Sequence, residues 1–210
     1  MEGLVGFRSA AALSPPGADL SRVLCWDSGG ASFQICGLVP GAGAPRSPVD
    51  IDVYRGPLGS TPVTTLMLEV QGKALAPGAT PNPARAEDAA ALGGRIACAL
   101  PAAPAWLTAR AARGDVVVAI GGPTSAFRVA HTLCGGATRL SREDVWGALS
   151  RALGQTDEQL AAVPQADQIV PKLVLLWQVM GHCGFGAFEY ASSPSGGCPG
   201  VMTTDEFYTD

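Results

Sequence analysis

Lysine is nearly absent. Lys73 and Lys172 are the only two in 210 residues, and charged side chains of all kinds make up 15% of the chain. With 14 basic against 18 acidic residues the formal charge is -4, which argues against nucleic-acid binding through bulk electrostatics. An anionic ligand is not excluded, because backbone N–H groups hold phosphate without net positive charge. Long hydrophobic runs are also missing. The longest, Ile169 to Met180, is broken by Pro171 and Lys172 and falls far short of a membrane span. Glu2 and Arg8 stand where a secretion signal needs a basic start and an apolar stretch, so neither membrane nor secretion is expected. The six cysteines (25, 36, 98, 134, 183, 198) form no CxxC pair and no framework spacing, which points to buried free thiols in a reducing cytoplasm.

Apolar residues reach 47%, enough for one domain with a proper core or two small lobes. Arg22–Trp26 and Ser32–Cys36 read as strands of a hairpin, with Asp27-Ser-Gly-Gly as its turn. Asp50–Tyr54 reads as a further strand and Val63–Val70 as another β-prone run. Asn82-Pro83 fits an N-cap with proline at the first helical position, opening a helix to about Leu100. A short helix is expected around Trp106. Asp115–Ile120 is a continuous apolar run, typical of a strand buried on both faces, and leads through Gly121-Gly-Pro-Thr-Ser125 into a helix over Ala126–Leu133. Ser141-Arg-Glu-Asp144 and Thr156-Asp-Glu-Gln159 match the capping box, so helices should start at each. Asp167–His182 reads as a long buried helix and Phe185–Tyr190 as a late strand. Strands, then helices, with one strand–glycine–helix crossover, describe a mixed α/β domain.

Two loops could carry chemistry. In Asp27-Ser28-Gly29-Gly30-Ala31-Ser32, consecutive small residues let several N–H groups converge on one anion. Asp27, at the end of its strand, is suited to hold hydrated Mg²⁺ against phosphate oxygens. An ordinary hairpin turn would use the same residues. Gly121, Gly122, Pro123, Thr124 and Ser125 combine free N–H groups with a helix N-terminus, though they would also serve as a tight packing turn. Ser195–Gly200 is a further glycine-rich loop, either a backbone nest or plain surface. His131 with Cys134 could meet His182 with Cys183 at a zinc ion, but packing or capping roles suit two histidines better. Of the carboxylates Glu2, Asp27, Asp50, Asp52, Glu69 and Asp115, only Asp27 lies in a loop built like a ligand site.

Cys25-Trp-Asp-Ser-Gly-Gly-Ala-Ser-Phe-Gln34 resembles the D-x-G-G-G-S-x-E phosphate loop of the exopolyphosphatase / guanosine pentaphosphate phosphatase family, within the sugar kinase, Hsp70 and actin superfamily. Gly56–Ser60, Ile120–Ser125, Leu140-Ser141 and Ala166–Pro171 resemble later features of that family, in the same order. Ala31 stands at the third glycine and Gln34 at the frequent glutamate. The resemblance implies an α/β fold, an actin-like ATPase (ribonuclease H-like) lobe with a mixed β-sheet flanked by helices. It divides the chain into 1–20, a remnant of the inter-lobe segment, 21–200, the second lobe, and 201–210, a tail. No counterpart of the family's first phosphate loop is present. Glu2-Gly-Leu-Val-Gly-Phe7 resembles the segment preceding the second lobe, making Glu2 the carried-over catalytic carboxylate beside Asp27.

The activity implied is Mg²⁺-assisted phosphoanhydride hydrolysis. Asp27 would bind the metal, and residues 28–32 and 121–125 the phosphates of polyphosphate or guanosine pentaphosphate. Long polyphosphate would require Arg55, Arg128 and Arg139 to gather on one face. The alternatives are a catalytically inactive phosphate- or nucleotide-binding lobe, truncated or completed by a partner, and an actin-like ATPase or sugar-kinase fragment. A lobe without its neighbour would expose apolar surface, so a homodimer or other self-association through that face is expected.

Overall fold

A computed structural model describes residues 2–193. Val23–Ser28 (β1) and Phe33–Leu38 (β2) form the expected hairpin, antiparallel, with Cys25 opposite Cys36 and Asp27 opposite Gln34. Ile51–Gly56 (β3) pairs antiparallel with β2. Val116–Gly121 (β4) runs parallel to β1, Ala187–Ser192 (β6) parallel to β4, and the three-residue Arg139–Ser141 (β5) antiparallel to β6. The sheet order is β3-β2-β1-β4-β6-β5.

Alternation along the strands assigns the two faces. Val23, Cys25, Cys36, Leu38, Val118 and Ile120 pack under the helix Glu2–Leu13 (α1), against Leu4, Phe7 and Ala10. Leu24, Trp26, Ile35, Val117 and Ala119 face the opposite way, into the larger core. There Ile169–Cys183 (α8) is buried on nearly every side. It packs among Ser60–Val70 (α2), Ala86–Ala99 (α3), Ala126–Leu133 (α5) and Arg142–Ala152 (α6). Trp26 is enclosed by Phe127, Phe185 and Phe188. Ala105–Ala112 (α4) and the single turn Asp157–Leu160 (α7) complete the helices. Among the described residues no helix is long and apolar enough to cross a membrane.

Two expected elements differ. The β-prone run Val63–Val70 lies within helix α2, because Ser60, Val63 and Met67 fall at helical spacing on one buried face. Asn82-Pro83 does not cap a helix. The peptide bond is cis, the Asn82 amide donates to Asp157 Oδ1 (2.8 Å) and the Ala166 carbonyl (2.9 Å), and α3 starts at Ala86. Both capping boxes form as read, Ser141 opening α6 and Thr156 opening α7.

At the amino ends of β1 and β4, Asp115 gathers three arginines. Arg110 Nε (2.8 Å), Arg113 Nη2 (2.7 Å) and Arg22 Nε (3.3 Å) all donate to its carboxylate. The buried Arg110 also donates to the carbonyls of Ser21, Val23 and Leu38, tying three chain segments together. Cys25, Cys36 and Cys183 are buried free thiols, Cys134 is half-buried and Cys98 is exposed.

Candidate active site

The carboxyl ends of the parallel strands β1 and β4 sit side by side, the usual place for a ligand crevice in an open α/β sheet. The β1–β2 turn rises from this edge, and its backbone is committed on one side only. The Gly29 N–H donates to the Ser32 carbonyl (2.9 Å). The carbonyls of Gly29 and Gly30 turn onto the first turn of α2, accepting from the N–H groups of Ser60 (3.1 Å) and Thr61 (2.8 Å). That leaves the N–H groups of Gly30, Ala31 and Ser32 with no backbone acceptor, available to an anion. Gly59 makes the approach possible, since a Cβ there would stand 2.5 Å from the Gly29 oxygen and 2.6 Å from the Gly30 carbonyl carbon.

The second loop faces the first across a cavity of about 590 Å³, lined by Asp27, Ser28, Gly29 and Gly30 on one side and Gly121–Ser125 on the other. Ser60, Thr61, Gln165 and Gln168 close it. Ser125 Oγ accepts from the Arg128 N–H and caps α5, while the Ser125 N–H donates to the Gly122 carbonyl. The Gly121 carbonyl is held by the Tyr190 hydroxyl (3.1 Å) and the Ser193 N–H (3.2 Å). A Cβ on Gly121 would collide with Ser125, which explains glycine at the strand end. The N–H groups of Gly122 and Thr124 have no backbone acceptor. Pro123 contributes none.

A smaller cavity of about 230 Å³ opens on the α1 side of the turn. Strand alternation explains its lining. Asp27, Gln34 and Arg55 are cross-strand neighbours on β1, β2 and β3, all at positions facing α1. Glu2, the first residue of α1, comes over them. Burial pushes the Asp27 carboxyl above its ordinary pKa and the Glu2 charge adds to this, against the opposing pull of the Gln34 side chain and the Ser28 N–H. Gln34 lies near enough to favour ionised Asp27, yet neither of its polar side-chain atoms makes a hydrogen bond of good geometry. Ser28 Oγ is likewise buried without a partner. Orphaned buried polar atoms concentrated around one turn are what a site built for a polar ligand leaves when considered alone.

The chain thus brings Glu2, Asp27 and both loops to one edge. Sequence reasoning missed Gln34 as a site residue, together with Ser60, Thr61, Gln165, Gln168 and Lys172. The alternation that sets Gln34 beside Asp27 was legible once the hairpin register was known; the others come from elements distant in sequence. Lys172 is fully buried and donates to the Thr124 carbonyl (2.9 Å) and Gln165 Oε1 (2.6 Å), behind the second loop. Arg55 faces the smaller cavity, but Arg139 pairs with Glu189 at the opposite edge of the sheet, so the three arginines do not gather. Other carboxylates serve structure: Asp50 accepts the Ser47 N–H in the capping box of a 3-10 turn, Glu69 pairs with Arg95, and Asp115 holds the arginine cluster.

His131 Nδ1 meets the Ala137 carbonyl (2.9 Å) and His182 Nε2 the Pro101 carbonyl (2.8 Å), packing roles for both. Among the described residues no cluster of three or more His, Cys, Asp or Glu is suited to a metal. The Ser195–Gly200 loop lies outside the described residues.

No family model and no curated protein matches the chain. Solved structures do. A Ppx/GppA family member from Aquifex aeolicus superposes with a TM-score of 0.64 at 14% identity, over 99% of this chain and 62% of its own. An exopolyphosphatase-like protein gives 0.64 at 14%, covering 99% and 67%. An exopolyphosphatase from Cytophaga hutchinsonii gives 0.56 at 14%, covering 94% and 63%. This likeness is one of fold: the chain is an α/β protein whose mixed six-stranded sheet and flanking helices share the architecture of those structures. It spans about two thirds of the length of those structures.

Proposed function

We propose that the chain is a phosphoanhydride hydrolase of the exopolyphosphatase / guanosine pentaphosphate phosphatase type, releasing terminal phosphate with Mg²⁺ in the cytoplasm. The observation that carries this reading is the pairing of two loops with free N–H groups across one cavity that Asp27 also lines. Fold neighbours named as Ppx/GppA and exopolyphosphatase proteins support it. In this reading the N–H groups of 30–32 hold the terminal phosphate, and those of Gly122 and Thr124 the next. They stabilise charge on non-bridging oxygens as the bond to the leaving phosphate breaks.

The donors beside the turn fit Mg²⁺. Asp27 and Glu2 are carboxylates and Gln34 offers an unpartnered amide oxygen, an all-oxygen set of the kind that shares this ion with substrate phosphates. Asp27 would hold it, with Glu2 beside. When bound, the ion supplies positive charge against the phosphate oxygens. Glu2, exposed at the cavity mouth, accepts a hydrogen bond from the attacking water and directs it in line with the leaving group.

Phosphate release from polyphosphate, guanosine pentaphosphate and ATP, each with Mg²⁺, tests the reading. Release from one of the first two is expected to fall at least about 100-fold in Asp27→Asn. The melting temperature should hold or rise, because a carboxyl whose folded pKa is raised costs stability once pH exceeds it, and asparagine removes that cost. Release from ATP alone would point to an actin-like ATPase instead. The second reading is a catalytically inactive phosphate- or nucleotide-binding lobe, and the orphaned buried side chains of Ser28 and Gln34 suit a binding site of that kind equally well. Binding without release by the isolated chain would select it.

A further inference from the structure

Lys172 is the fully buried cation of α8, a helix otherwise almost wholly apolar on its buried positions. An ammonium in such surroundings is costly unless something of opposite charge compensates it. Among the described residues it makes no ion pair. Its two hydrogen bonds go to neutral oxygens, the Thr124 carbonyl and Gln165 Oε1. Both acceptors belong to residues lining the larger cavity. Gln165 is moreover held at φ +60°, a left-handed conformation rare for a non-glycine residue, which the bond from Lys172 helps to fix.

Resting on the reading of this cavity as a phosphate site, we infer that Lys172 is its positioning residue: it holds the second loop through Thr124 and Gln165, and its charge is completed by the polyphosphate anion that binds in front of them. The surrounding charges leave that role to the ligand. Asp167, on the turn before α8, is the acid whose field reaches Lys172. On α2, Glu69 pairs with Arg95 of α3, where Asp88 also pairs with Arg85. On α6, Arg142 lies over Trp177, and Arg128 of α5 is exposed. Burial lowers the Lys172 pKa to about 8, with Asp167 opposing. An anion in the cavity raises it again, so by reciprocity the protonated protein binds the anion more tightly. Affinity should therefore weaken as pH rises past about 8.

The near-absence of lysine makes this measurable on the unmodified chain. Lysine labelled with ¹³C at Cε gives two signals, and Lys73→Arg identifies the exposed one. The probe is inorganic triphosphate without divalent cation, so that it is not consumed. The titration midpoint of Lys172 is expected to move upward by about one unit when triphosphate saturates the protein. The ratio of triphosphate affinities, wild type over Lys172→Met, should then fall about sevenfold between pH 7 and pH 9.5, the ligand's own ionisation cancelling in the ratio. Bound triphosphate with an unmoved Lys172 midpoint overturns the inference and leaves the cavity a phosphate site. Failure of triphosphate to bind overturns both. If Lys172→Met does not fold, the wild-type titration decides alone.

Discussion

Gly59 shows how narrowly single residues define this site. Its Cα passes so close to the β1–β2 turn that one methyl group would press on the backbone of Gly29 and Gly30, which cannot swing aside as a side chain would. Gly59→Ala should cost about 1–3 kcal/mol in urea unfolding and weaken phosphate binding with it, because the turn that presents the N–H groups must shift. Gly94, exposed on α3 with open space at its Cβ position, is the matched control; Gly94→Ala should stabilise by about 0.5–1 kcal/mol and leave binding unchanged. At this scale the first loop was readable from sequence, because small residues after an aspartate state their turn chemistry locally. Gln34 and Lys172 were not, since an amide in a strand or a cation in an apolar helix acquires meaning only from its neighbours across the fold.

Among the elements, β1 and β4 carry opposite duties at their two ends. Their carboxyl ends present the candidate site, and their amino ends are clamped by Asp115 and its arginines. Burial would raise the Asp115 pKa, but the bonds from Arg113 and Arg110 outweigh it and hold the carboxyl below its ordinary value. A depressed folded pKa contributes stability that is fully present above the unfolded value, about 3.9, and is lost as pH falls through the folded one. Acid unfolding monitored by circular dichroism should therefore steepen below about pH 4, and Asp115→Asn should flatten that limb. At neutral pH the same variant should cost about 3–5 kcal/mol, mainly through the stranded, buried Arg110, since the half-exposed Arg22 and Arg113 are screened by water. Capping boxes made the starts of α6 and α7 legible. The β-branched content of α2 misled, because helical spacing of its buried face outweighs β propensity. The short β5 escaped notice because three residues carry no period.

Across the whole molecule, coverage of the sheet is uneven. Helix α1 lies over β1 to β4, and beyond it on the same face a groove of about 790 Å³ runs past Val116, Val118 and Ala191. Val116 is 38% exposed there. Self-association through this face is the expected outcome, with mass in sedimentation equilibrium rising with protein concentration, and Val116→Asp should return the chain to monomer. The likeness of fold was legible in the order of several short motifs spread along the chain. The strand order was not, because the pairing of β4 with both β1 and β6 depends on contacts between distant segments.

The cysteines turn this architecture into its own gauge of integrity. Burial pushes the Cys36 and Cys183 thiols up to about 12 and Cys25 well above its ordinary value, so all three stay protonated and shielded. Among the cysteines of the described residues, brief alkylation followed by mass spectrometry should therefore mark Cys98 first. Cys25 and Cys36 should gain mass together, at the rate the β1–β2 hairpin beneath α1 opens, while Cys183 keeps separate time for the helical core.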